Sequence, residues 1–189
     1  MVFSGGEPLV CPYLEELIRE VRDVGFLVGL HTNGTSPAKL RMLLAQKDDE
    51  GRSLVDWVGF DIKTSFDGSS GSGALDVSLD AASLGLEDSS SHYDRLTGLK
   101  GSGEAVRESL AVLQDSGVDY ELRTTLSSEA LDEGTLITLG EELLSLGEKD
   151  WVLQKCREEG SNREQLLSFD LGAVRKQLLR QGFEILTIR

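Results

Sequence analysis

The sequence predicts an α/β protein built on parallel strands, and three observations carry that expectation. Short apolar runs alternate with longer segments of helical period, as repeated β–α units require. Glycines stand just past the helical segments, where a left-handed cap ends a helix. Polar residues gather at the C-terminal ends of the strand-like runs, the side on which such folds place ligands.

Met1–Phe3 is a short apolar run that enters the turn Ser4-Gly5-Gly6-Glu7-Pro8-Leu9. That turn sets bare backbone groups beside an acidic side chain, which suits an amine-bearing ligand. Leu14, Leu17, Ile18 and Val21 recur at helical spacing and predict a helix over Tyr13–Val24, stopped at Gly25. Strands are expected at Phe26–His31 and Asp56–Ile62, with a helix over Pro37–Gln46 between them. Val106, Leu110 and Leu113 predict a helix over Gly103–Asp115, ended by Gly117 and followed by a strand at Asp119–Leu126. A helix over Leu131–Leu146 ends at Gly147 and leads to a strand at Trp151–Gln154. The last pair is a helix over Leu171–Arg180, ended by Gly182, and a strand at Phe183–Ile188. Parallel strands joined by right-handed crossovers follow from this order, in either an open doubly wound sheet or a βα barrel. One stretch departs from it. Asp67–Ser91 is rich in Gly, Ser and Asp, and reads as a disordered, solvated insertion in an otherwise single 189-residue domain.

Strand parity sorts the polar groups. Val58, Phe60 and Ile62 share one face, against Trp57, Gly59, Asp61 and Lys63 on the other. Phe26, Val28 and Leu30 oppose Leu27, Gly29, His31 and Asn33; Tyr120, Leu122 and Leu126 oppose Glu121, Arg123 and Thr125. A fully buried parallel strand is normally apolar on both faces, so the second face is expected to line a polar ligand site. Simpler readings stay open beside this one. Asp61 with Lys63, or Arg123 with Glu121, makes an ordinary structural ion pair, and Asn33-Gly34 is a common turn.

Charge narrows the partners. A net charge of −14, with 33 acids against 19 bases and no basic cluster, disfavours nucleic acid and anionic membrane surfaces. No apolar run approaches the ~20 residues of a membrane span, and no signal peptide is visible, so a cytoplasmic location is expected. Cys11 and Cys156 are too few and too far apart for a disulfide scaffold or a metal-ligand pattern.

In order and spacing, the strand ends Phe3-Ser4-Gly5-Gly6-Glu7-Pro8, His31-Thr32-Asn33-Gly34, Asp61-Ile62-Lys63, Arg123-Thr124-Thr125 and Leu153-Gln154 resemble a radical S-adenosylmethionine domain. Tyr93–Gly98 followed by Ser102-Gly103 adds to the likeness, which is greatest to the activating proteins of anaerobic ribonucleoside-triphosphate reductase. The resemblance implies a partial (β/α) barrel that lacks its first βα unit. It implies S-adenosylmethionine as cofactor, with Gly5, Gly6 and Glu7 receiving the methionyl amino group and Thr32 and Asn33 near the bound molecule. Asp61 and Lys63 would face the interior, Arg123 would pair with a carboxylate, and Gln154 would close the site. In the family a reduced 4Fe–4S cluster cleaves the cofactor, and the resulting radical takes hydrogen from a glycine of the reductase, with an external electron donor. Two departures stand out. His31 occupies a position that is often acidic in related activating enzymes, and the three-cysteine loop of the family has no counterpart here. The expectation is therefore a chain that holds no cluster by itself and has no assigned catalytic or metal residue. It is either a shortened copy of an enzyme or a cluster-free relative that binds a nucleoside or a protein. An unrelated βα enzyme using an Asp61–Lys63 pair is the third reading.

Overall fold

The structure, a computed structural model, describes residues 1–66, 91–127, 131–156 and 166–189. Most of the expected insertion, residues 67–90, lies outside the described residues. The strands are β1 (Val2–Phe3), β2 (Gly29–Thr32), β3 (Trp57–Asp61), β4 (Asp119–Leu126), β5 (Asp150–Lys155) and β6 (Ile185–Ile188). The helices are α1 (Leu14–Asp23), α2 (Pro37–Ala45), α3 (His92–Thr97), α4 (Ser102–Ser116), α5 (Glu133–Ser145) and α6 (Leu171–Gln181). Strand order follows the chain from β1 to β6, and every pairing with a described register is parallel. The α/β class with parallel strands is as expected. No helix among the described residues is long and apolar enough to cross a membrane.

The chain divides into two compact units. The first comprises Met1–Ile62 and Glu104–Arg123. Val58, Phe60 and Ile62 are at most 1% exposed, so the apolar face expected of β3 is the buried one. Ile18 of α1, Leu40 of α2 and Leu113 of α4 are buried with it. Register aligns His31 with Gly59 and Glu121, and Asp61 with Arg123, so each row presents its side chains to one face. Two polar clamps hold the ends of elements here. Arg22 donates to the carbonyls of Leu54 and Ser53 and to Asp56 Oδ1, and Ser109 of α4 donates to the Gly34 carbonyl at 2.6 Å.

The second unit comprises Lys63–Gly103 and Thr124–Arg189. Leu136, Leu139, Trp151, Leu153 and Leu178 are nearly fully buried in it. α5 and α6 approach closely at Gly140, where a Cβ would lie 2.4 Å from Leu178 Cδ2. Buried Asp94 organises the turn into α4. It accepts from the N–H groups of Gly101 at 2.8 Å and Gly103 at 3.1 Å, and from Ser102 Oγ at 3.1 Å. Burial opposes its charge, but these bonds and the approach of Ser91 together hold its carboxyl below the usual carboxylate range.

The differences from the sequence reading are local. Phe26 and Leu27 were expected in the second strand, yet they are 54% and 70% exposed, and β2 begins at Gly29. The reason is that Asp56 Oδ2 takes the Val28 N–H at 2.6 Å, so a side chain occupies the ladder position before the strand starts. Phe183 likewise stays outside β6. Its N–H bonds back to the Leu178 carbonyl at the end of α6 while its ring packs on Trp151, 5.5 Å between centroids. A 3₁₀ turn at Pro8–Val10 and the six-residue α3 are too short to show a period, and the sequence reading has neither. Gly25, Gly117, Gly147 and Gly182 all take positive φ, as the helix stops require.

Candidate functional site

The first unit gathers polar side chains where β1 to β4 end. Gly5 and Gly6 follow β1 at φ +94° and +54°, conformations that L side chains rarely adopt, and a Cβ on either would meet nothing within 4 Å. Successive glycines therefore leave an open, exposed backbone cradle in front of Glu7. The carboxylate of Glu7 is oriented by three donors. Its Oε1 accepts from Leu9 N at 3.1 Å and from Thr32 Oγ1 at 2.8 Å, and its Oε2 accepts from Asn33 N at 2.8 Å. One side chain thus caps the 3₁₀ turn and binds the Gly-Gly-Glu turn to the Thr-Asn-Gly turn. Asn33 is fixed in its own right, since its Oδ1 accepts from Thr35 N at 3.0 Å and Thr35 Oγ1 at 2.7 Å. The Asn33 amide N–H₂ is then aimed by the turn that holds its oxygen.

Arg123 forms the other half. The residue is 5% exposed, and its Nε donates to Asp61 Oδ1 at 2.9 Å, with the Asp61 side chain 43% exposed. Its Nη1 lies 3.1 Å from His31 Nε2, and its Cζ lies 5.9 Å from the centre of the Trp57 ring. The guanidinium rests on Gly59, where an added Cβ would come within 2.7 Å of it. His31 meets the edge of Trp57, 5.7 Å between centroids. β2 joins the two halves: His31 reaches Arg123, and its neighbours Thr32 and Asn33 reach Glu7.

Gly5, Gly6, Glu7, Thr32, Asn33, Asp61 and Arg123 are therefore assembled in one unit. Lys63 and Gln154 belong to the other unit. Lys63 is exposed and its backbone N–H donates to Tyr93 Oη at 3.2 Å, while Gln154 is half-buried on β5. Both ion pairs entertained from the sequence are corrected: Asp61 pairs with Arg123, leaving neither an Asp61–Lys63 nor an Arg123–Glu121 pair. Adjacent strands in register put Asp61 and Arg123 side by side, whereas residues two apart on one strand are separated along it. His31, Trp57 and Gly59 carry no assigned role in the sequence reading. Parity placed all three on the polar face, but only the register shows that Arg123 lies across them.

Among the described residues, no group of three or more His, Cys, Asp and Glu side chains could hold a metal ion. Neither Cys11 nor Cys156 forms a disulfide. The described residues accordingly present no three-thiolate set of the kind that holds an iron–sulfur cluster.

No protein-family profile matches the chain. It is 27% identical over 138 residues to a Methanocaldococcus jannaschii protein provisionally named a glycyl-radical enzyme activating enzyme, covering 70% of this chain and 45% of that one. It is 28% identical over 137 residues to the AdoMet-dependent heme synthase of Methanosarcina barkeri, covering 71% of this chain and 31% of that one. The chain thus spans less than half the length of these relatives. Among solved structures, Streptococcus suis SuiB bound to S-adenosylmethionine superposes with a TM-score of 0.57 at 11% identity, over 100% of this chain and 37% of that one. The structure of anSMEcpe with bound AdoMet and a Kp18Cys peptide superposes with a TM-score of 0.53 at 14% identity, over 100% and 49%. The structural likeness shows the fold, the parallel α/β architecture of radical S-adenosylmethionine proteins.

Proposed function

We propose that the strand ends of the first unit bind S-adenosylmethionine, and that the chain is part of a radical enzyme that activates a glycyl-radical protein. The anaerobic ribonucleotide reductase is the partner proposed, with an external electron donor. The observation that carries the binding reading is Glu7, whose carboxylate ties the open Gly5-Gly6 turn to Thr32 and Asn33. The site fits the cofactor in kind. A backbone cradle and a carboxylate suit an ammonium group, and the fixed guanidinium of Arg123 suits a carboxylate. Gly5, Gly6 and Glu7 would hold the amino end, Thr32 and Asn33 the neighbouring polar atoms, and Arg123, held by Asp61, the carboxylate.

When bound and reduced by one electron, S-adenosylmethionine supplies a 5′-deoxyadenosyl radical for hydrogen abstraction. The residues described here orient it. Glu7 is held by its three donors and so needs little reorganisation on binding, and the buried Arg123 offers a donor with its geometry already fixed. The iron–sulfur cluster does not fit the residues present, and no step is assigned to them through it. A second reading is a cluster-free nucleoside- or protein-binding member of the same fold.

Calorimetric titration with S-adenosylmethionine tests the binding reading. The wild-type chain should bind, and Glu7→Ala should weaken binding at least tenfold, about 1.4 kcal/mol. No binding by the wild type, or equal affinity in the variant, overturns it. Anaerobic reconstitution with iron and sulfide, followed by measurement of 5′-deoxyadenosine, separates the two readings. Binding without product favours the cluster-free protein.

A further inference from the structure

Arg123 is held on two edges and open on the third. Asp61 Oδ1 takes Nε–H, and His31 Nε2 stands 3.1 Å from Nη1. Nη2 makes no hydrogen bond among the described residues. A guanidinium carries donors only and does not deprotonate, so His31 Nε2 must be the acceptor. The ring proton is then on Nδ1, and His31 is neutral while the contact lasts. Gly59 lies beneath the guanidinium and the Trp57 ring lies near it, so this buried side chain is confined in place.

We propose that His31 is a positioning residue: its neutral Nδ1–H tautomer, with Asp61, holds Arg123 so that the Nη2 edge receives the carboxylate of an amino-acid-bearing ligand. The ligand part rests on the S-adenosylmethionine reading above; the positioning part rests on the contacts themselves. Protonating His31 sets an N–H against an N–H, which breaks the Arg123 contact and releases the guanidinium. The charged groups that share the face of His31 are Asp61 on β3 and Glu121 and Arg123 on β4, with Glu7 at the neighbouring turn. β1, formed by Val2 and Phe3, contributes none. Ligand affinity should therefore fall once the pH is low enough to protonate His31 and break this contact.

Two measurements on the full chain test this. In the ligand-free protein, ¹⁵N NMR should show His31 as the Nδ1–H tautomer at pH 8. The Arg123 Nε–H signal should be slowly exchanging at that pH and lost as His31 protonates. His31→Gln, which keeps an acceptor but does not titrate, should retain the Arg123 signal to pH 5.5; His31→Phe should lose it at every pH. Calorimetry with S-adenosylmethionine should give a roughly tenfold affinity loss from pH 8 to 5.5 in the wild type, a flat profile in His31→Gln, and weak binding throughout in His31→Phe. An Nε2–H tautomer, an Arg123 signal unaffected in His31→Phe, or a pH profile unchanged in His31→Gln overturns the proposal alone. Absence of S-adenosylmethionine binding at every pH, with the NMR result intact, overturns the functional reading and the ligand part with it.

Discussion

Glycine at position 59 shows how one residue can decide a site. Its neighbours on β3 are large, yet here the space belongs to a side chain from β4, and a methyl group would stand 2.7 Å from the guanidinium of Arg123. Gly59→Ala should push Arg123 off its seat and cost about 1–3 kcal/mol. The expected readout is a lower thermal midpoint together with weakened binding of S-adenosylmethionine; an unchanged midpoint would show that Arg123 moves freely. Asp94 is the second case. Its carboxyl is held below the ordinary range in the folded state, so it stabilises the fold above its unfolded value of about pH 3.9. That contribution is lost as the pH falls below this value toward the depressed folded one. Asp94→Asn should remove acceptors from buried donors, cost about 1–3 kcal/mol near neutrality, and flatten the decline in stability below about pH 4. Denaturant melts of both proteins from pH 3 to 7 check it; parallel curves would show that Asp94 does not carry the effect.

Side-chain caps begin α3, α5 and α6, whereas α1 and α2 start without one. Asp132 accepts from Thr135 N at 2.7 Å and begins α5, and Asp170 accepts from Gly172 N and Ala173 N at the start of α6. Asp132→Ala should cost about 1 kcal/mol, which for a chain of this size lowers the midpoint by about 2–4 °C. A shift under 1 °C would mean that packing of Leu136 and Leu139 sets the helix start without the cap. Among the strands, β2 has the most consequence for the site. Its sequence Gly-Leu-His-Thr alternates one residue into the core with one toward the polar face, so His31 reaches Arg123 while Leu30 is fully buried.

At the scale of the whole molecule, a net charge of −14 on 189 residues means sustained self-repulsion in the folded state. Raising ionic strength from about 0.01 to 0.15 M shortens the screening length from about 30 to 8 Å. The thermal midpoint should rise over that range. A fall would show that exposed ion pairs such as Arg41–Glu108 and Lys149–Glu184 outweigh the repulsion. Much of the architecture was legible without coordinates, because it follows from local pattern. Alternation buried Val58, Phe60 and Ile62 together, and glycine ended the helices where the apolar period stopped. The polar face and most of its residues were legible for the same reason. Partner choice was not. Glu7 meets Thr32 and Asn33, 25 and 26 positions away, and Asp61 meets Arg123, 62 positions away, in place of the nearby Lys63. A period of two states which face a residue occupies and nothing about which strand lies beside it. Only the parallel register of β2, β3 and β4 sets His31, Gly59 and Asp61 around one guanidinium, because lateral neighbours are chosen by the packing of the sheet and not by the order of the chain.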